Sequence, residues 1–110
     1  MNNFNLEKEI CAALDRAEKE SRKNTYIMKE DTIKKVKLLS SFLRETNFSI
    51  EFDRVINTIE ICLTGYVLDS CTCDLKSVFK IVDLFVIDSL NDGKVCIEMK
   101  ILNAAKIIRR

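Results

Sequence analysis

The spacing of apolar residues changes from a helical period to strict alternation at Phe48, and this change constrains the fold of the 110-residue chain more than any other feature. Before Phe48, apolar residues recur every three or four positions. After it, they alternate with polar residues over three short segments. A helical period gives a helix with one buried face, whereas alternation gives a half-buried strand. The sequence therefore predicts a single α+β domain over residues 1–110, with N-terminal helices packed on a small antiparallel or mixed sheet.

Two amphipathic helices are predicted before Phe48. The first spans residues 5–23, with Asn5 as its N-cap and an apolar stripe of Leu6, Ile10, Ala13, Leu14 and Ala17. The second spans about 30–45, with Asp31 or Thr32 as its cap and an apolar stripe that includes Ile33, Val36, Leu39 and Leu43. Because the connection at 24–29 is short, we expect the two helices to form an antiparallel hairpin.

Three strands are predicted after the change of period. The first begins at Phe48 and the second runs from Ile59 to about Val67, with a turn at 54–57 that makes them an antiparallel hairpin. The third covers 94–102, and the tail after it either frays or docks.

The segment 74–90 is ambiguous between helix and strand. Its β-branched residues and the NDGK sequence at 91–94 favour a strand that ends in a hairpin turn. On a helical wheel, however, its polar residues fall within one arc, Asp74 can cap the start and Gly93 can follow the end. The helical interpretation is preferred and gives the order ααββαβ, although it places Leu84 and Ile87 on the polar side. The alternative is an ααββββ meander.

The residue types argue against catalysis. The chain has no His, Pro or Trp and only two Gly. A Ser-His-Asp triad is excluded, and no glycine-rich loop can cradle a phosphate. No pair of carboxylates stands out by its spacing. We therefore expect no enzyme activity and no cofactor.

The five cysteines predict reduced thiols in a cytoplasmic protein, because their number is odd and their spacing irregular. Cys71 and Cys73 form a C-x-C sequence, which is shorter than the usual zinc-binding spacing. Since Cys11, Cys62 and Cys96 lie in three different predicted elements, no metal site is expected.

The distribution of charge is more informative than the net charge of +1. Residues 47–99 carry nine acidic and four basic side chains, whereas residues 100–110 carry four basic ones and no acid. Lysines of the second helix and the basic tail allow a nucleic-acid-binding regulator as an alternative function. The near-neutral composition argues against nucleic acid as the partner.

The favoured function is a small cytoplasmic protein-binding module, an inhibitor or neutralising partner of the immunity-protein, antitoxin or phage-inhibitor type that occludes its target. Acidic side chains of the strand-rich half are the predicted partner-binding residues, namely Glu51, Asp53, Glu60 and Asp69. A small sheet has open edges, so we also expect pairing at an edge, in a homodimer or with the target. The polar N-terminus does not resemble a signal peptide, and no apolar run is long enough to cross a membrane.

Overall fold

A computed structural model describes residues 6–42, 47–67, 80–89 and 94–109. These residues confirm the α+β class. They form, in chain order, α1 (Leu6–Ser21), β1 (Asn24–Met28), α2 (Glu30–Phe42), β2 (Asn47–Asp53), β3 (Thr58–Val67), β4 (Leu84–Ser89), β5 (Lys94–Ile101) and β6 (Ala105–Arg109).

The strands form two antiparallel sheets. The larger sheet has four strands in the order β2-β3-β5-β4, and the smaller pairs β1 with β6. Because β5 lies between β3 and β4, the larger sheet is not a meander. It consists of two pairs of consecutive strands that meet where β3 pairs with β5. Neither predicted order is matched in full. The three strands predicted after Phe48 are present and Leu84–Ser89 adds the fourth strand of the alternative, but these four strands are not arranged as a meander.

One hydrophobic core joins the helices to one face of the larger sheet. The predicted stripe of α1 is buried, as are Val36 and Leu39 of α2. They belong to the same cluster as the inward side chains of the two central strands, which are Ile59, Ile61, Leu63, Val95, Ile97, Met99 and Ile101. Tyr26 connects the smaller sheet to this core, since its ring lies 5.2 Å from that of Phe52. Neither helix in the described ranges is long and apolar enough to cross a membrane.

The preferred helix at 74–90 is wrong for the part that the structure describes. Leu84–Ser89 is a strand, paired with β5 from Leu84 opposite Lys100 to Ser89 opposite Val95. The β-branched and aromatic residues of this segment favour a pleated strand. An edge position leaves some of its apolar side chains partly exposed, and on a helical wheel these residues fall on the polar side. The proposed caps at Asp74 and Gly93 lie outside the described residues.

The short connection at 24–29 also differs from the prediction, because it contains β1. Arg22 ends α1 with a φ of 58°, and the backbone N–H of Asn24 donates to Ser21 Oγ at 3.2 Å. The chain then pairs with the C-terminal tail, which docks as β6. A strand therefore interrupts the predicted helical hairpin, and the β-forming sequence Thr-Tyr-Ile-Met explains why.

Asn57 ties the β2–β3 turn to the β5–β6 turn. It has a φ of 51°, a left-handed conformation that Asn tolerates better than most residues. Its Nδ2 donates to the Ala105 carbonyl at 2.9 Å, and its Oδ1 accepts from the Ala105 N–H at 3.0 Å. The N–H of Ala104 donates to the Asn57 carbonyl at 3.0 Å. These bonds fix the end of the larger sheet to the start of β6.

Candidate functional site on the outer face of the sheet

The larger sheet has a second face, which points away from the helices and is called the outer face below. Strand register places these side chains on it: Ser49, Glu51, Glu60, Cys62, Thr64, Leu84, Val86, Asp88, Cys96, Glu98 and Lys100. All of them are exposed or half-buried. Since both helices pack on the opposite face, the outer face is accessible to a partner.

The outer face is acidic. The side chains just listed include four carboxylates and one lysine, so together they carry a net charge of −3. Glu51 lies directly opposite Glu60, which in turn lies opposite Lys100. Lys100 Nζ is 3.9 Å from Glu60 Oε1, so one lysine neutralises one member of the pair. Like charges opposite each other destabilise a sheet, and this arrangement is therefore not explained by folding.

On β4, exposed aliphatic side chains lie next to the carboxylates of the outer face. Leu84 is 54% exposed and Val86 is 53% exposed. Within the part of the chain that the structure describes, β4 pairs only with β5 and is an edge of the sheet. Apolar side chains beside a charged patch are common at protein-binding surfaces, where they supply the buried area.

Two thiols lie near the centre of the outer face. Cys62 Sγ and Cys96 Sγ are 3.6 Å apart across β3 and β5. The hydrogen bond to Cys62 raises the pKa of the Cys96 thiol above its ordinary value, and partial burial raises it further. One ligand atom from each of Cys62, Cys96 and Glu98 lies within 4.8 Å of the others.

The structure brings together only two of the four predicted partner-binding residues. Glu51 and Glu60 are cross-strand neighbours on the outer face. Register places Asp53 at the end of the same side of β2, opposite Thr58. Its carboxylate is engaged in the β2–β3 turn, because its Oδ1 accepts from the N–H groups of Val55 at 3.0 Å and Ile56 at 3.4 Å. Asp69 lies outside the described residues, as do Cys71 and Cys73.

Sequence reasoning missed the contribution of β4 and β5 to this face. Because their segment was predicted to be a helix, Asp88 and Val86 were not placed on the sheet. Cys62 and Cys96 were separated because they belong to different elements. Both occupy the polar positions of alternating segments, a signal that would have placed them on one face once β3 was paired with β5.

The basic residues of the alternative function lie on other elements. Lys34 and Lys37 are exposed on α2, and Lys106 and Arg109 are exposed on β6. Lys35 is engaged locally, with its Nζ 3.2 Å from Asp31 and 3.9 Å from Asp83. These lysines and arginines do not belong to the outer face.

Comparisons with known proteins add no relative. No protein-family model, curated protein or solved structure matches the chain. Function must therefore be inferred from the outer face itself.

Proposed function

We propose that this chain is a small cytoplasmic protein-binding module whose outer face docks on a basic surface of another protein and occludes it. The observation that carries the proposal is an accessible, acidic sheet face that also presents the exposed side chains of Leu84 and Val86. An inhibitor or neutralising partner of the immunity-protein, antitoxin or phage-inhibitor type would work in this way.

The two kinds of side chain on this face have different roles in binding. The carboxylates attract and orient a basic partner, which accelerates association and makes it sensitive to salt. The aliphatic side chains of β4 contribute apolar surface that is removed from contact with water when the complex forms. Together they favour a partner rich in Lys or Arg with an apolar patch of its own.

Charge also distinguishes a foreign partner from a second copy of the chain. Two outer faces, both acidic, repel each other when they approach directly. A homodimer is therefore more consistent with pairing along the open edge of β4, which leaves most of the carboxylates in solvent. The outer face itself is assigned to a basic protein.

The proposal is tested by quantitative capture from extracts of the native host, with charge reversal on the outer face. Glu51→Lys combined with Glu98→Lys is expected to slow association with the captured protein by about 10-fold or more, because steering is lost. The measurement is biolayer interferometry of the purified pair at several salt concentrations, with wild-type association weakening as salt rises.

A matched control makes the same change of charge on the helical side. Glu9→Lys combined with Asp15→Lys alters two exposed residues of α1 and is expected to leave association within about twofold of wild type. Equal loss in both variants would refute the outer face as the docking surface. Retention of nucleic acid, with loss on Lys34→Glu and Lys37→Glu, would favour the alternative function instead.

A further inference from the structure

The pair of thiols on the outer face has a geometry that neither folding nor the proposed docking requires. Cys62 lies directly opposite Glu98, and Thr64 lies opposite Cys96, so the two cysteines are diagonal neighbours on adjacent strands. Both are half-buried. β3 and β5 are the two central strands of the sheet and pair directly with each other.

The distance between the two sulfurs is close to the sulfur–sulfur distance found when two thiolates bind one tetrahedral metal ion. Two zinc–sulfur bonds of about 2.3 Å at the tetrahedral angle hold their sulfurs about 3.8 Å apart. Cys62 Sγ and Cys96 Sγ are already 3.6 Å apart. A disulfide would require a separation of about 2.05 Å, so the observed pair is a dithiol.

A third ligand is available from the same face. A carboxylate oxygen of the exposed Glu98 side chain and both sulfurs lie within 4.8 Å of one another. Two thiolates and one carboxylate suit a borderline-soft cation such as Zn²⁺, whereas Mg²⁺ and Ca²⁺ prefer oxygen ligands throughout. The fourth position faces solvent and is left to water.

We propose that Cys62, Cys96 and Glu98 form a binding site for Zn²⁺ on the outer face of the sheet. The ligands come from two paired strands, so the site needs no rearrangement of the backbone. Binding replaces two thiol protons with a divalent cation, and the sheet would be clamped across β3 and β5. The site stands on these distances and does not depend on the proposed docking function.

The test is a titration of the reduced full-length chain with Co²⁺, followed by displacement with Zn²⁺. Thiolate-to-cobalt charge-transfer absorption reports directly on sulfur ligation, and we expect one ion per chain. Cys62→Ser and Cys96→Ser are each expected to weaken Zn²⁺ binding by at least about 100-fold, beyond the 10–100-fold typical of outer-shell changes. Cys11→Ser, on the exposed surface of α1, is the control and should bind as wild type.

Two further variants keep the proposal open to refutation. Glu98→Gln is expected to weaken Zn²⁺ binding by about 10-fold or more, while Glu60→Gln, which removes a neighbouring charge but no ligand, should change it less than about threefold. Absence of binding to the wild type overturns the proposal. So does binding that survives Cys62→Ser and Cys96→Ser but is lost in a Cys71→Ser, Cys73→Ser double variant. Circular dichroism establishes that each variant is folded.

Discussion

The two faces of the larger sheet are made by the same strands but differ in burial and in the types of side chain that they carry. On β3, Ile59, Ile61 and Leu63 point inward and are at most 1% exposed. The residues between and after them, Glu60, Cys62 and Thr64, point outward and are partly or fully accessible. The inner face of the central strands is apolar and belongs to the same core as the helices, whereas the outer face mixes like charges, thiols and exposed aliphatic side chains.

The difference separates residues that the fold needs from residues that the fold tolerates. Burial of the inner face contributes most of the stabilisation of a domain of this size. The outer face places Glu51 opposite Glu60, an arrangement that opposes folding. Features that weaken the fold and remain accessible are the ones for which a binding role is the natural explanation.

The strongest test of this contrast truncates one apolar residue on each face. Ile61→Ala is expected to lower the free energy of unfolding by about 2–5 kcal/mol, because it leaves a cavity in the core. Val86→Ala is expected to lower it by less than about 1 kcal/mol, because Val86 lies on an edge strand and is half exposed. Urea denaturation followed by circular dichroism measures both. Similar losses in the two variants would mean that the outer face is also packed.

A second test asks whether a polar residue outside the core can be as structural as the inner face. Asn57→Ala removes both side-chain hydrogen bonds to Ala105. It also leaves alanine, which has no such hydrogen bonds, in the left-handed conformation with a φ of 51°. Loss of the hydrogen bonds and the strained left-handed backbone of alanine should together lower the free energy of unfolding of Asn57→Ala by roughly 2–3 kcal/mol.

Asn57→Gly is the matched variant for that position. It loses the same hydrogen bonds but accepts the left-handed conformation, so it should be about 1 kcal/mol more stable than Asn57→Ala. If the two variants were equally stable, backbone conformation would have no part in the effect. Thermal and urea denaturation give the comparison.

Hydrophobic period was sufficient to predict the helices and the central strands. The stripe of α1, the 54–57 turn and the alternation of β3 and β5 appear as the sequence indicates. The period of apolar residues was not sufficient for β4. Apolar residues lie on both faces of this strand, and the polar residues of its segment fall within one helical arc by coincidence. Nor did the period identify β1 and β6, because their apolar residues are consecutive, as in Tyr26–Met28 and Ile107–Ile108, and do not alternate with polar ones.

The candidate site was only partly predictable for a related reason. Its residues lie on strands distant in sequence, and only the pairing of β3 with β5 places Cys62 beside Cys96. Strand order depends on which non-local pairing buries most apolar surface, and local sequence does not record it. The acidic bias of residues 47–99 falls on the strands that form the outer face. Asp53 shows, however, that an acidic side chain in that range can also stabilise a turn.

The smallest expected effect concerns the like-charged pair. Glu51→Gln removes the repulsion from Glu60 and is expected to raise the free energy of unfolding by roughly 0.2–0.5 kcal/mol at low salt. Asp88→Asn, which removes a charge opposite Cys96 rather than opposite an acid, should have less effect. Because surface charges are screened over about 8–10 Å at physiological ionic strength, the gain from Glu51→Gln should shrink as salt is added. A gain that persists at high salt would assign the effect to side-chain packing, and no gain at all would show that Lys100 neutralises the pair. A gain that follows the predicted salt dependence would mean that the native chain keeps a charge on its outer face at the expense of its own stability.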